Sequence, residues 1–146
     1  MGNFNDYKLY EQKVKEINNK NDNHLKNFSK WLEHQKLSHK TINNHVNNVD
    51  FYINDYLCYY KPQDFKEGCN NIDGFLGDWF IRKAMWASPA HIKSNAASIK
   101  KFYSFMLEES KISKENYDYL CKTIKEYMSE WIEKMEEYDN MVYDEC

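Results

Sequence analysis

The stretch Leu37-Ser38-His39-Lys40-Thr41-Ile42 recurs in pattern as Ala87-Ser88-Pro89-Ala90-His91-Ile92, and these two stretches decide the fold. Each has a serine at its second position, and serine is a preferred N-cap because its side-chain oxygen accepts a hydrogen bond from a first-turn N–H. An aromatic pair, Phe51-Tyr52 or Phe102-Tyr103, begins thirteen or fourteen residues after the serine. The pattern predicts two amphipathic helices that start at Ser38 and Ser88.

Apolar residues in both stretches recur with a helical period, which predicts one buried face on each helix. The first helix carries Ile42, Val46, Val49, Ile53 and Leu57, and the second carries Ile92, Ala96, Ile99, Phe102, Tyr103 and Met106. No stretch of the chain alternates polar and apolar residues as a half-buried strand does. The sequence therefore predicts an all-α fold.

The rest of the chain also indicates helices, separated by short breaks. A weak helix near the N-terminus ends at the capping residues of 19–23, a second helix covers 24–36, and 61–70 is expected to be a loop. A shorter helix, apolar on a wide face that includes Met85, is expected to be buried, and Ser113 begins a last long helix. We therefore expect a compact bundle of five to six helices.

Composition bounds the class of protein. The 146 residues are 42% hydrophobic and 29% charged, without an apolar run long enough for a transmembrane helix. We expect a cytoplasmic domain outside the membrane, because the N-terminus lacks a signal-peptide pattern and the four cysteines lack ligand spacing. The five histidines form no i, i+4 pairs, so no metal and no cofactor is expected.

Charge is distributed unevenly along the chain. The net charge is −3, but residues 126–146 hold eight acids and one base, which leaves residues 1–125 at +4. Residues 79–107 contain no acid, and Glu33 is the only acid in 23–49. A basic body with an acidic end is compatible with a DNA-binding protein.

The outward faces of the two serine-capped helices carry the candidate DNA contacts. Opposite the core, a 100° step per residue places Lys40, Asn44 and Asn47 on the first helix, with Thr41 and Asn48 beside them. On the second helix it places Ala90, Ser94, Ala97 and Lys101, flanked by His91 and Ser98. Asparagine can bind adenine edges, whereas Lys, Ser and Thr bind phosphates. The alternative is that Ser38 and Ser88 are only N-caps and the asparagines a compositional bias.

The chain resembles the N-terminal core-binding (SAM-like) domain of tyrosine recombinases and phage integrases. The resemblance lies in Phe28-x-x-Trp31-Leu32, Leu37-Ser38-x-x-Thr41-Ile42, Phe75-Leu76, Ser88-x-x-x-Ile92 and Lys101-Phe102-Tyr103-x-Phe105, and closes at Asn116. It implies a helical domain over 23–116, preceded by a helical extension, 1–22, and followed by an acidic helix and tail, 117–146, packed on the same domain.

The resemblance also implies that the fronts of the helices beginning at Ser38 and Ser88 face duplex DNA. Together with the outward faces, it predicts the DNA-binding residues Ser38, Lys40, Thr41, Asn44, Asn48, Ser88, His91, Ser94, Asn95 and Lys101. Such a domain of a mobile-element recombinase takes part in DNA integration and recombination by holding duplex DNA while another domain performs the chemistry.

The recombination chemistry itself is not expected in this chain. Members of the family use two arginines, a His-x-x-Arg motif and a tyrosine nucleophile, whereas this chain has one arginine, Arg82, and no His-x-x-Arg. We therefore expect a DNA-binding domain that is not an enzyme and binds duplex DNA weakly alone. It could also contact a catalytic recombinase domain or another protein through its acidic last helix. The alternative is a helical protein-interaction module, a regulator or DNA mimic, that uses that acidic helix.

Overall fold

The structure, a computed structural model, describes the backbone of residues 4–144 and the side chains of residues 5–141. These residues form six α-helices with shorter π and 3₁₀ segments, and none of them lies in a strand. The predicted all-α class is therefore confirmed. Backbone contacts divide the chain into unit 1, Met1–Gly68, and unit 2, Cys69–Cys146, and each unit is described separately.

Unit 1 is built on one long helix, α1, Phe4–His34. The predicted break at 19–23 is wrong, because α1 runs through it without interruption. Asn21 is buried inside the helix, and its side-chain amide donates to Asn54 Oδ1 at 2.7 Å and to the Ile53 carbonyl at 3.4 Å. These tertiary hydrogen bonds hold in a helix a residue whose local preference is for caps and turns.

Helix α2, His39–Asp50, packs on α1 and continues into a π-helical turn, Phe51–Tyr56. The apolar residues predicted for its inward face are mostly buried, among them Val49, Ile53 and Leu57. Part of the expected loop is a 3₁₀ helix, Phe65–Asn70. That segment is fixed by the Tyr52 hydroxyl, which donates to the Gly68 carbonyl at 2.6 Å.

Unit 2 begins with three consecutive helical segments: α3, Ile72–Gly74, a π-helical turn, Phe75–Trp79, and α4, Phe80–Lys83. They correspond to the predicted short helix, and most of their apolar side chains are buried. Met85 is the exception: it follows the end of α4, in the turn before Ser88, and is 99% exposed.

Helices α5, Pro89–Glu108, and α6, Lys114–Asp144, pack against each other and complete unit 2. Ser113 caps α6 as expected, since its Oγ accepts from the Asn116 N–H at 3.1 Å. The helix α6 also packs on α3, where the buried Trp131 indole N–H donates to Asp73 Oδ1 at 2.7 Å. The acidic half of α6 is therefore anchored in the core of unit 2.

The domain boundaries expected at 22/23 and 116/117 fall within α1 and α6. Residues 22 and 23 lie in the middle of α1, and residues 116 and 117 lie in the first turns of α6. The division of backbone contacts falls instead between Gly68 and Cys69.

Candidate nucleic-acid interface

The front of α2, in unit 1, is organised by Ser38. Its backbone is extended, with φ −67° and ψ 156°, and its Oγ accepts from the Thr41 N–H at 3.2 Å. The same hydroxyl donates to Thr41 Oγ1 at 3.0 Å, so the two predicted residues are held together. The predicted N-cap is confirmed, which leaves the Ser38 hydroxyl already engaged within the protein.

The other predicted residues of α2 differ in their access to solvent. Lys40 and Asn44 are exposed, whereas Thr41 and Asn48 are half-buried. Lys40 and Asn44 are one turn apart, so a cation and an amide can reach the same surface. This pair is the accessible part of the α2 front.

The front of α5, in unit 2, repeats the arrangement with Ser88. Its backbone is extended, its Oγ accepts from the His91 N–H at 3.1 Å, and it lies 2.8 Å from His91 Nδ1. Pro89 occupies the first turn, a favoured position because it has no N–H to satisfy. The structure thus brings Ser88 and His91 together as it does Ser38 and Thr41.

Two residues of α5 that were expected at or beside the DNA-facing surface are buried. Asn95, a predicted DNA contact, is 1% exposed, and its side-chain amide donates to the His91 carbonyl at 2.8 Å. Ser98, expected to flank the outward face, is also buried. The buried surface of α5 is wider than one helical stripe, so Asn95 supports the helix from inside and is not presented to DNA.

The outward face of α5 carries small side chains between lysines. Ala90, Ser94 and Ala97 are exposed, and Lys101 is half-buried. Two further lysines, Lys93 and Lys100, are exposed on this helix and were missed by the site prediction, although the acid-free stretch 79–107 contained them. Among the described residues, neither Lys93 nor Lys100 has an acidic partner within ion-pair distance.

The two helix starts differ in how many backbone N–H groups they offer to a phosphate. In α2 the Thr41 and Ile42 N–H groups bind Ser38, which leaves those of His39 and Lys40. In α5 the equivalent two groups bind Ser88 and Pro89 has no N–H, which leaves only that of Ala90. Because phosphate binding at a helix start depends on such groups, α2 is the better phosphate site and α5 must rely on side chains.

Arg82, the single arginine, is engaged inside the protein. Its Nε and Nη2 donate to the two carboxylate oxygens of Asp78, both at 2.9 Å. These hydrogen bonds lower the pKa of Asp78 below its ordinary value. Arg82 therefore adds less to the positive surface of unit 2 than its sequence position suggests.

The acidic surface belongs to the second half of α6. Glu133, Glu136 and Glu137 are exposed there. This end of α6 lies near the start of α5, since Ala87 lines a cavity of about 430 Å³ together with Asp139. Phosphates that approach Ser88 are thus subject to repulsion from nearby carboxylates.

We also searched the described residues for metal sites and for membrane-spanning helices. No group of His, Cys, Asp or Glu side chains within the described part of the chain could hold a metal ion. Among residues 4–144, no helix has both the length and the apolar character needed to span a bilayer.

Comparisons with known proteins give no relative. No protein-family model matches the chain, and neither the curated proteins nor the solved structures contain a significant match.

Proposed function

We propose that this chain is a DNA-binding domain of a tyrosine recombinase or integrase-like protein, which clamps duplex DNA without cutting it. The observation that carries the proposal is the outward face of α5, where small side chains lie beside Lys93 and Lys100, on a helix that contains no acid before Glu108. A solvated helix face usually carries long charged side chains. A face of Ala90, Ser94 and Ala97 instead allows a helix to approach another surface closely.

The lysines beside this face fit a run of phosphates along one side of such a close approach, because residues seven apart lie on the same side of a helix. Lys93 and Lys100 are two turns apart on α5. The major groove is about 12 Å wide and admits one α-helix, with phosphates along both rims. In this arrangement Ser94 and His91 would face base edges or the sugar–phosphate backbone while the two lysines bind phosphates.

The front of α2 would supply a second contact of a different kind. Its two available N–H groups and Lys40 suit one phosphate, and Asn44 can form a bidentate pair with adenine in the groove. Both helices thus hold the phosphate backbone, and Asn44 and Ser94 read the bases.

Strand cleavage is not part of the proposal. Phosphoryl transfer in the family depends on guanidinium groups that hold the reacting phosphate, because they stabilise the charge that develops on it. Arg82 is the only arginine, and Asp78 already occupies two of its donor groups. Another domain or chain would have to supply the chemistry.

A fluorescence-anisotropy titration with labelled duplexes at several salt concentrations tests the proposal. The variant Lys93→Glu/Lys100→Glu should weaken binding and reduce the log–log salt slope by about 1.8, at about 0.9 for each lost phosphate contact. The matched control, Lys111→Glu/Lys125→Glu, makes the same change in net charge at exposed lysines of unit 2 outside the α5 front. It should keep the slope of the unmodified chain.

Two results would contradict the proposal. If both double variants weaken binding equally, the α5 front is not the site and only net charge matters. If the folded chain shows no salt-sensitive binding to any duplex, even with Glu133, Glu136 and Glu137 changed to Gln, DNA binding itself is refuted. Neutralising these residues is preferable to deleting the end of α6, because Trp131 and Met135 belong to the core.

The second candidate function is the protein-interaction module. It is favoured by the exposed carboxylates of α6, of which Glu130 and Glu126 have lysines within 4.0 Å on the same helix. Exposed pairs of this kind contribute little to stability, so they do not explain why the surface is acidic.

A further inference from the structure

A groove in unit 2 separates α4 and the turn after it from the last turns of α6. It consists of two adjoining cavities of about 430 and 230 Å³, which share Ile81, Arg82 and Tyr138. Met135 lines the first cavity and is buried, whereas Met141 lines the second and is largely exposed. Apolar surface therefore continues along the groove from a buried residue to exposed residues.

The rim of the groove exposes more apolar surface than a solvated turn requires. Met85 lines the first cavity at 99% exposure, and the neighbouring Trp86 is 51% exposed. Clustered apolar side chains on a surface mark interaction sites more often than isolated ones do. Methionine is frequent at such sites because its flexible, polarizable side chain adapts to different partners.

The charged residues that line the groove are three acids, Asp78, Glu137 and Asp139, and three bases, Arg82, Lys83 and Lys134. Asp78 and Arg82 neutralise each other, and Lys134 lies 3.9 Å from Glu130. Glu137 and Asp139 line the two cavities, and neither has a cationic partner among the described residues. Lys83 lies on the α4 side of the groove, whereas Glu137 and Asp139 lie on the α6 side, so the groove combines an apolar floor with an acidic rim along α6.

We infer that this groove is the docking site for a basic amphipathic helix of a protein partner. An amphipathic helix in an apolar groove places side chains at i, i+4 and i+7 into it. Lysines or arginines beside these anchors would meet Glu137 and Asp139. The same carboxylates repel the phosphates of DNA and of anionic lipids. The inference gives a site to the second candidate function and does not rest on DNA binding.

The probe is a labelled synthetic helix with leucines at i, i+4 and i+7 and lysines at its other positions. Its counterpart has glutamate in place of every lysine. Methyl spectra of the chain with ¹³C-labelled methionine report on the groove through Met85, Met135 and Met141. Met106, buried in α5, is the internal control. The lysine helix should shift the three groove methyls and leave Met106 unchanged.

A charge placed in the groove separates docking from general attraction to an acidic protein. Met85→Lys should reduce affinity for the lysine helix by about tenfold, because it repels the probe and removes an apolar contact. Met85 is fully exposed, so the substitution should leave the fold intact, as circular dichroism can verify. The matched control, Tyr119→Lys, adds the same charge at an exposed aromatic position near the start of α6 and should change the affinity less than twofold.

Several results would overturn the inference. The acidic rim is irrelevant if the glutamate helix binds as well as the lysine helix. Docking is refuted if Met85→Lys and Tyr119→Lys weaken binding equally, or if the groove methyls do not shift at millimolar probe. A second copy of the chain is the occupant if the same methyls shift with protein concentration alone and the sedimentation mass doubles. Each of these outcomes is independent of the Lys93→Glu/Lys100→Glu experiment on DNA.

Discussion

Substituting Gly77 with alanine should destabilise unit 2, although the same substitution usually stabilises a helix. A Cβ atom on Gly77 would lie 2.8 Å from Trp131 Cδ1 and 3.0 Å from Trp131 Nε1. Trp131 cannot move aside easily, because it is fully buried and its indole N–H is bonded to Asp73 at 2.7 Å. Two buried groups would therefore compete for the same space.

The size of the effect follows from one favourable and two unfavourable terms. Alanine reduces the conformational freedom of the unfolded chain and gains about 0.5–1 kcal/mol in a helix. Overpacking a buried site costs about 1–3 kcal/mol. If Trp131 shifts, its hydrogen bond to Asp73 weakens as well, at a net cost of about 0.5–1.5 kcal/mol. We expect a net loss of about 1–3 kcal/mol.

Gly74→Ala is the matched control, three residues earlier in the same run of helical turns. Gly74 is exposed and has helical dihedral angles, φ −60° and ψ −32°, so alanine there should stabilise by about 0.5–1 kcal/mol. Urea unfolding followed by circular dichroism and tryptophan fluorescence measures both free energies. The Trp131 indole resonance should move only in Gly77→Ala. Stabilisation by Gly77→Ala equal to that by Gly74→Ala would refute the packing argument.

Three further predictions concern stability and reactivity. Ser110 has φ 59°, in the left-handed region, where a residue with a Cβ atom is strained and glycine is not. Ser110→Gly should therefore raise the free energy of unfolding by about 1 kcal/mol in urea titrations. A lower free energy of unfolding would contradict strain at this position. Asn21→Leu removes the hydrogen-bond partner of Asn54 inside unit 1, so the free energy of unfolding, measured by heat and urea, should fall by about 1–3 kcal/mol. An unchanged free energy of unfolding would show that this buried hydrogen bond contributes nothing. Burial raises the pKa of the Cys69 thiol to about 12, so at pH 8 only about one thiol in ten thousand is ionised. Iodoacetamide should therefore label the half-exposed Cys121 first, and peptide mass spectrometry of the labelled protein measures the order. Equally fast labelling of both thiols in the folded protein would contradict the burial of Cys69.

The helix starts were predictable from sequence because their determinants are local. Ser38, Ser88 and Ser113 each accept a hydrogen bond from an N–H three residues later, a contact that sequence spacing alone indicates. The end of α5 was harder to predict from the sequence, because its last turn is closed by Ser110 in the left-handed conformation, where glycine is usual.

The errors arose where tertiary contacts override local preference. Asn21 lies within a polar stretch that predicts a break, yet distant hydrogen bonds keep it helical. The family resemblance predicts Asn95 as a DNA contact and helical periodicity places Ser98 beside the outward face, but packing buries more of α5 than one stripe. The sequence predicts Met85 on the apolar face of its helix, yet α4 ends at Lys83 and leaves Met85 exposed. A single sequence contains no information on which neighbouring elements cover each position.

The two proposed surfaces of unit 2 are close enough to affect each other electrostatically. Ala87 lines the groove and directly precedes Ser88, where α5 begins. Charges are screened over about 8 Å at physiological salt, so Asp139 in the groove can act on a phosphate at the start of α5. A basic helix bound in the groove would neutralise that carboxylate and remove a repulsion from DNA. If both proposals hold, the lysine helix should therefore strengthen duplex binding by the chain, and by thermodynamic reciprocity DNA should strengthen binding of the helix by the same factor. In the Met85→Lys variant, which weakens the docking of the helix, this coupling should disappear at the same probe concentration, while duplex binding without the helix persists.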